Sequence, residues 1–579
     1  TSTSRKTKAI WNILSQSGKR SVVVNWYASH PAEPIEGCVI SNRFFEGLPD
    51  DPRQAWEVIP ASVHPADLAE VVSGFRMHPA ELTPADLTRF IPEIDKIDLR
   101  RDPRPAQLAK ELAKTVSIHS VATGAMQAEP WDFMAIYYDG LDTVGHQFMP
   151  YHPPKMSHVS EQDFSLYQHV MRESYLFHDE MLGRLLELAG EETTVVLLSD
   201  HGFHSDHLRP QQFMNDMPEA ALAAAWHRHY GVLAMRGPDL LKDERIYGAT
   251  LLDITPTLLT LCGLPVAQDM DGKPLVQAFQ PPGPKLEAIE SWDLVPGSSG
   301  MHPPDAAQAM SESPEAIAQL VALGYLSPEA LDAQSSIEIA RAESNFNLAI
   351  VHSSNGRHQQ AFEILRKLCQ QHPNNGRYGL ALAKTHANLQ QHEQCLAEIA
   401  KIESAGQGNA ESEMLAAAEL FNAGRTEEAN ARLLQYKSRY PMGPYFYTLL
   451  GNIFMRQSQW HQAREAFARA VQMDGDDPHS HFHLSVISNR LGMFEEAAEH
   501  ALQSIGTLYF FPQAHYQLGV AFKGLGDIPR ALRSLNLAVS QAPQLLDAHR
   551  ELATIYDETN NTGLWLKHQR LARGLPPEH

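Results

Sequence analysis

Val195 to Pro210 reads VVLLSDHGFHSDHLRP: four apolar residues stop at Ser199 and Asp200, and histidines follow at His201, His204 and His207. An apolar run of this length bounded by polar residues predicts a buried parallel strand. In open α/β sheets, ligands gather beyond the carboxyl ends of such strands. An Asp and a His side by side there, with Gly202 allowing a tight turn, is what a metal site requires. A strand followed by an ordinary polar turn would look the same from this stretch alone, so the rest of the chain has to decide.

Working outward, Trp131 to Asp139 predicts a second strong strand, running into Asp142-Thr143-Val144-Gly145-His146. Ser21 to Trp26 and Gly37 to Ser41 predict two more, behind an amphipathic helix over Ser4 to Gly18. Between about Pro60 and Gln127 the pattern turns helical and Pro-punctuated, which predicts an inserted helical region capping a site. A long helix is expected around Asp163 to Ala189, and a strand over Tyr230 to Met235 that ends at Gly237-Pro238. Asp253 and Pro256 open a further helix, with Asp253 as its cap.

The second half is a repeat array. Ala361, Cys395, Ala429, Ala463, Ala497 and Ala531 stand 34 residues apart, and Leu348, Leu382, Ala416, Leu450, Leu484, Leu518 and Leu552 keep the same interval. Small residues at one fixed position let helices approach closely, while larger apolar ones fill the layer between them. This period and pattern resemble the tetratricopeptide family, in which each repeat is a helix-turn-helix. The expected organisation is therefore a first domain over 1–280, a Pro-, Gly- and Ser-rich linker over 281–335 with a short helical piece at Pro314 to Leu323, and about six to seven repeats over 336–579.

Bulk properties agree with a multidomain globular chain. Its 579 residues are too many for one core. With 47 basic against 69 acidic residues the formal net charge is -22, which argues against binding nucleic acid or an anionic membrane surface. No apolar run approaches the length of a membrane span. Cys38, Cys262, Cys369 and Cys395 show no pairing pattern, which fits a reducing compartment and gives a cytoplasmic expectation.

Asp142 with His146, and Asp200 with His201, supply a carboxylate and an imidazole from each of two strand ends. Together they can make a mixed nitrogen and oxygen site for zinc, manganese or iron. DxxGH at Asp142 to His146, SDHG at Ser199 to Gly202, HxxxG at His227 with the following Gly237-Pro238, and DITPT at Asp253 to Thr257 occur in this order. The set resembles the alkaline phosphatase superfamily, specifically its type I phosphodiesterase/nucleotide pyrophosphatase branch, over about residues 1–279.

That resemblance implies an α/β alkaline-phosphatase-like core with a helical insertion, followed here by an all-α tetratricopeptide solenoid. It implies hydrolysis of phosphoesters at two divalent ions, zinc first, with a phosphorylated small molecule as substrate. One ion would take Asp142, His146 and His227; His229 and His302 are the alternatives to His227. The other would take Asp200, His201, a further Asp and a Thr or Ser nucleophile that forms a covalent phospho-enzyme. In the family's order the last two precede everything seen here, so both, with the first strand, are expected upstream of Thr1. Thr1 to Ser4 read as a helix-capping stretch rather than as the nucleophile. Cys38 lacks the sequence context of a sulfatase. His204, His207 and His30 read as polar turn residues or substrate contacts, and Asp139 as a structural turn residue. The solenoid would offer a concave surface to a protein or peptide. The alternative reading is a scaffold or adaptor carrying a vestigial phosphatase-like domain.

Overall fold

The computed structural model describes residues 1–128, 130–205, 209–210, 226–228, 230–246, 248–303 and 333–575. The chain divides into two compact units, Thr1–Ala340 and Arg341–His579.

The first unit is built on a four-stranded mixed sheet. Strands β1 (Ser21–Val24), β2 (Gly37–Ile40), β3 (Val63–His64) and β4 (Phe133–Ile136) lie in the order β3-β2-β1-β4. β1 pairs parallel with both β2 and β4, in register Val24↔Ile40 and Val24↔Ile136, and β3 runs antiparallel to β2. Alternation of side chains along a strand sends neighbours to opposite faces. Val23 and Val39 therefore pack with Ile10, Trp11 and Leu14 of the helix Ile10–Gln16. Val22, Val24 and Ile40 pack on the other face with Phe44, Ile118, Val121 and Ala122. A strand buried on both faces reads as a continuous apolar run, which is why β1 is SVVV.

Several expectations are corrected at this level. The helix expected over 4–18 spans Ile10–Gln16 after a short 3-10 turn at Ser2–Ser4. The region expected to cap a site contributes the helix Arg104–Ala128, whose Ile118, Val121 and Ala122 form the core beneath the sheet. The helix expected over 163–189 is two, Glu161–Tyr167 and Val170–Ala189. Asp253 makes no side-chain cap of the helix Ile254–Leu261; its carboxylate accepts from Thr250 and from the Lys273 backbone instead.

The opening stretch departs most. β5 (Val195–Leu198) pairs antiparallel with β8 (Leu233–Arg236) in a separate two-stranded sheet, and Leu197 is 46% exposed. The parallel, buried strand predicted from its apolar run is thus replaced by a half-buried antiparallel pair. Hydrophobicity sets the tendency to be a strand but carries no information on which strand becomes the partner. β6 (Gly202–Phe203) and β7 (His227–Arg228) form a second antiparallel pair, in register Phe203↔His227.

The first stretch after residue 280 packs on this unit. β10 (Ala288–Ile289) pairs with β9 (Val266–Ala267), and Trp292 is buried against Ile13 and Leu259. The helical piece expected at Pro314 to Leu323 lies outside the described residues.

The second unit is an all-helical tetratricopeptide-like solenoid, described as fourteen helices from Ala333–Ser354 to Thr562–Leu571. Ala361, Cys395, Ala429, Ala463, Ala497 and Ala531 are all fully buried, as their fixed interval requires. At Gly519 a β-carbon would lie 2.6 Å from Leu535 Cγ, so only glycine admits this close crossing of neighbouring helices. Pro444, Pro478 and Pro512 each open a helix, where the missing backbone N–H removes a donor that has no partner in the first turn.

Candidate metal centre

The helix Gly140–Phe148 starts beyond the carboxyl end of β4 and carries Asp142 and His146 one turn apart, on the same face. His201 follows β5 and immediately precedes β6, while His227 lies in β7. The β6–β7 pairing draws the last two together: their rings stack with centroids 3.6 Å apart and planes 16° from parallel.

The three imidazoles converge on one carboxylate oxygen. Asp142 Oδ1 lies 3.5 Å from His146 Nε2, 3.6 Å from His201 Nε2 and 3.6 Å from His227 Nε2. His146 Nε2 and His227 Nε2 are 3.0 Å apart. Asp142, His146 and His227 form a group whose ligand atoms all lie within 4.8 Å of one another. Two donors on a tetrahedral zinc, each about 2.0–2.1 Å from it, sit roughly 3.3 Å apart, close to the three spacings within this group. The polar inventory points the same way: Asp142 Oδ1 is buried without a hydrogen bond. Burying such an acceptor unsatisfied is costly, and a cation among these donors removes that cost.

Burial alone would raise the Asp142 carboxyl, but His146, with the charges of His201 and His227, outweighs it and holds the group below the usual carboxylate range. Burial, followed by the neighbouring His201 and His146, lowers His227 and keeps its ring neutral, the form that ligates. Tyr137, at the end of β4, is pushed up to about 12 by burial and then by Asp200, Asp139 and Asp142.

Asp200 stands apart from the three-residue group. Its carboxylate is 63% exposed and lies 3.9 Å from His201 Nε2. Of the alternatives to His227, His302 is 3.2 Å from the Pro31 carbonyl through Nε2. His229 lies outside the described residues, as does His207. The His204 backbone donates to Trp226 O. His30 is buried beside Ser41 and lowered to about 4, first by burial and then by Arg43. Asp139 is ion-paired to Lys114 at the start of the 140–148 helix.

Two supporting residues escaped sequence reasoning. Phe203 stands edge-on to His146 and His227, with centroids 5.1 and 5.2 Å away. Arg209, 4% exposed, reaches the carbonyls of Met149, His152 and Pro154 beyond the end of the 140–148 helix. The run HGF was the available signal for the first; nothing local marks the second.

Comparison with known proteins agrees with both halves. The sequence profile of the family described as Type I phosphodiesterase / nucleotide pyrophosphatase matches residues 2–245. Tetratricopeptide repeat profiles match 353–419, 414–478 and 448–515. No curated protein matches the chain. Among solved structures, the Cut9-Hcn1 hetero-tetramer of the APC/C is similar at 16% identity and TM-score 0.36, over 48% of this chain and 50% of that one, so this chain spans about half its length. Pseudomonas aeruginosa PilF is similar at 18% identity and TM-score 0.33, over 37% of this chain and 97% of that one. YrrB, described as a TPR protein with an unusual peptide-binding site, is similar at 18% identity and TM-score 0.26, over 32% and 96%.

Proposed function

With a phosphodiesterase-family region ahead of a tetratricopeptide array as the premise, we propose that this chain forms part of a metal-dependent phosphoester hydrolase whose solenoid binds a protein or peptide partner. The observation that carries the reading is the convergence of His146, His201 and His227 on a single oxygen of Asp142. Asp142, His146 and His227 would hold one divalent ion, zinc by donor chemistry, and Asp200 with His201 would contribute to a second. Such ions supply Lewis-acid stabilisation of the charge that builds on a transferring phosphoryl group.

The chain's own residues do the rest. Asp142 supplies a carboxylate kept ionised by its neighbours, and His227 a neutral imidazole. Phe203 packs its ring against His146, His201 and His227 and joins the neighbouring apolar core. The solenoid's stacked helix pairs present an extended surface of the kind that binds peptides or helices. No helix is long and apolar enough to cross a membrane among the described residues.

The test is metal analysis of the full-length protein with turnover of a chromogenic phosphodiester and a chromogenic monoester. Bound transition metal, with turnover abolished in Asp142→Ala and Asp200→Ala, is the expected result. Absence of metal, or turnover unchanged in both variants, refutes it. Capture of a partner that survives Asp142→Ala combined with His201→Ala separates partner binding from the metal centre.

A further inference from the structure

Gly145 lies in the interior of the helix Gly140–Phe148, between Asp142 and His146. Glycine weakens a helix interior relative to alanine, so a glycine there calls for a packing reason. The reason is Phe203. A β-carbon on residue 145 would lie 2.8 Å from Phe203 Cζ, 3.0 Å from Cε1 and 3.1 Å from Cε2. The ring presses flush against the helix at its interior glycine, immediately before the ligand His146.

From that seat Phe203 touches every imidazole of the site. Its centroid is 5.1 Å from His146 at 73°, 5.2 Å from His227 at 72° and 5.8 Å from His201 at 56°. The first two are edge-on contacts, the favoured geometry between rings. Phe203 also packs against the core cluster that includes Phe90, Leu108, Val144, Phe148 and Tyr167. Its backbone pairs with His227 in the β6–β7 register. One aromatic ring therefore joins the rigid helical core to ligands arriving from three separate segments.

We propose that Phe203 is a positioning residue that sets the relative placement of His146, His201 and His227, and that Gly145 is present to admit it. The inference rests on the metal-centre reading given above. Residues that hold ligands in place act on metal affinity by about 10–100-fold without touching the metal. Gly145→Ala pushes the ring out of its seat and spreads the imidazoles. Phe203→Leu removes the ring atoms that the new methyl meets, so the double variant relieves the clash that the single variant creates.

The experiment is a double-variant cycle on the full chain: zinc titration of the metal-stripped protein by calorimetry, with melting measured without metal. Gly145→Ala is expected to weaken zinc binding at least 10-fold, Phe203→Leu less, and the double variant is expected to bind more tightly than Gly145→Ala. The melting temperature of the stripped variants should change far less than the affinity, which separates positioning from global unfolding. If the losses simply add in the double variant, or if affinity falls only in proportion to melting temperature, the proposal is overturned while the metal centre stands. If the unaltered chain binds no zinc, and Asp142→Asn titrates identically to it, the reading beneath the proposal falls first and takes it along. Should Gly145→Ala fail to fold, Phe203→Leu and Phe203→Tyr carry the cycle: tyrosine keeps the ring and should retain affinity that leucine loses, and equal loss in both overturns the proposal.

Discussion

The solenoid should lose stability in mild acid through a buried histidine pair near its end, and the size of the loss follows from the geometry. His549 and His568 are 3% and 5% exposed, and their Nδ1 atoms are 2.9 Å apart. His549 Nε2 donates to the Pro543 carbonyl at 2.9 Å, leaving its Nδ1 to accept from His568. His568, buried against this partner, meets its second proton in a site with little water to solvate the charge. Burial, and then the neighbouring His549 and Lys567, lower His568 from 6.5 to about 4. In the unfolded chain it titrates near 6.5, so below that pH the unfolded state binds more protons and stability falls. The contribution is fully present above about pH 7, is lost as the pH drops toward 4, and reaches about 2 kcal/mol of destabilisation at pH 5. Urea unfolding followed by helical circular dichroism at pH 7.5 and pH 5.0 measures it. His568→Asn keeps a donor toward His549 but cannot titrate, so its loss between the two pH values should be smaller by about that amount. Equal losses in the variant and the unaltered protein refute the reasoning.

Three further outcomes follow from described contacts. Ala463→Leu places a branched side chain at a fully buried small-residue position beside Phe467 and Leu484, and should cost about 1–3 kcal/mol by overpacking, read as a lower urea midpoint. Glu343 holds Arg377 through both carboxylate oxygens and accepts from Tyr378 Oη at 2.8 Å; Glu343→Ala strands the buried tyrosine hydroxyl and should cost about 1–3 kcal/mol, seen as early melting of the first repeats. Chelation of bound metal should lower the melting temperature of the first unit and leave the solenoid transition in place, and zinc should restore it; one common shift of both transitions would contradict this.

The solenoid was legible because its signal is redundant: one interval recurs across the whole second half, and every copy of the small residue proves buried. The strands β1, β2 and β4 were legible for a similar reason, each being an apolar run closed by polar residues. What stayed hidden was pairing. Nothing in VVLL distinguishes a strand beside β4 from one beside β8, because partner choice depends on contacts distant in sequence. The candidate site followed the same division. Asp142 and His146 are visible as a one-turn spacing and Asp200-His201 as a strand end, whereas the meeting of His201 with His227 needs the β6–β7 ladder. Phe203 escaped because an aromatic after glycine is unremarkable until Gly145 is found opposite it. Arg209 escaped because its partners are backbone carbonyls, which no side-chain pattern announces.

β5 pairs along one side only, with β8, and β4 along one side only, with β1, among the described residues. Leu197 at 46%, Tyr230 at 45% and Val232 at 61% exposure add an apolar surface to that ribbon. A free strand border with apolar flanks is a template on which another molecule can extend the sheet. Where these borders stay open, association in concentrated solution runs through them, and hydrogen exchange at the β4 and β5 amides reads it. Those borders belong to the two strands whose ends lead into Asp142 and His201, so pairing there would be felt at the candidate site itself.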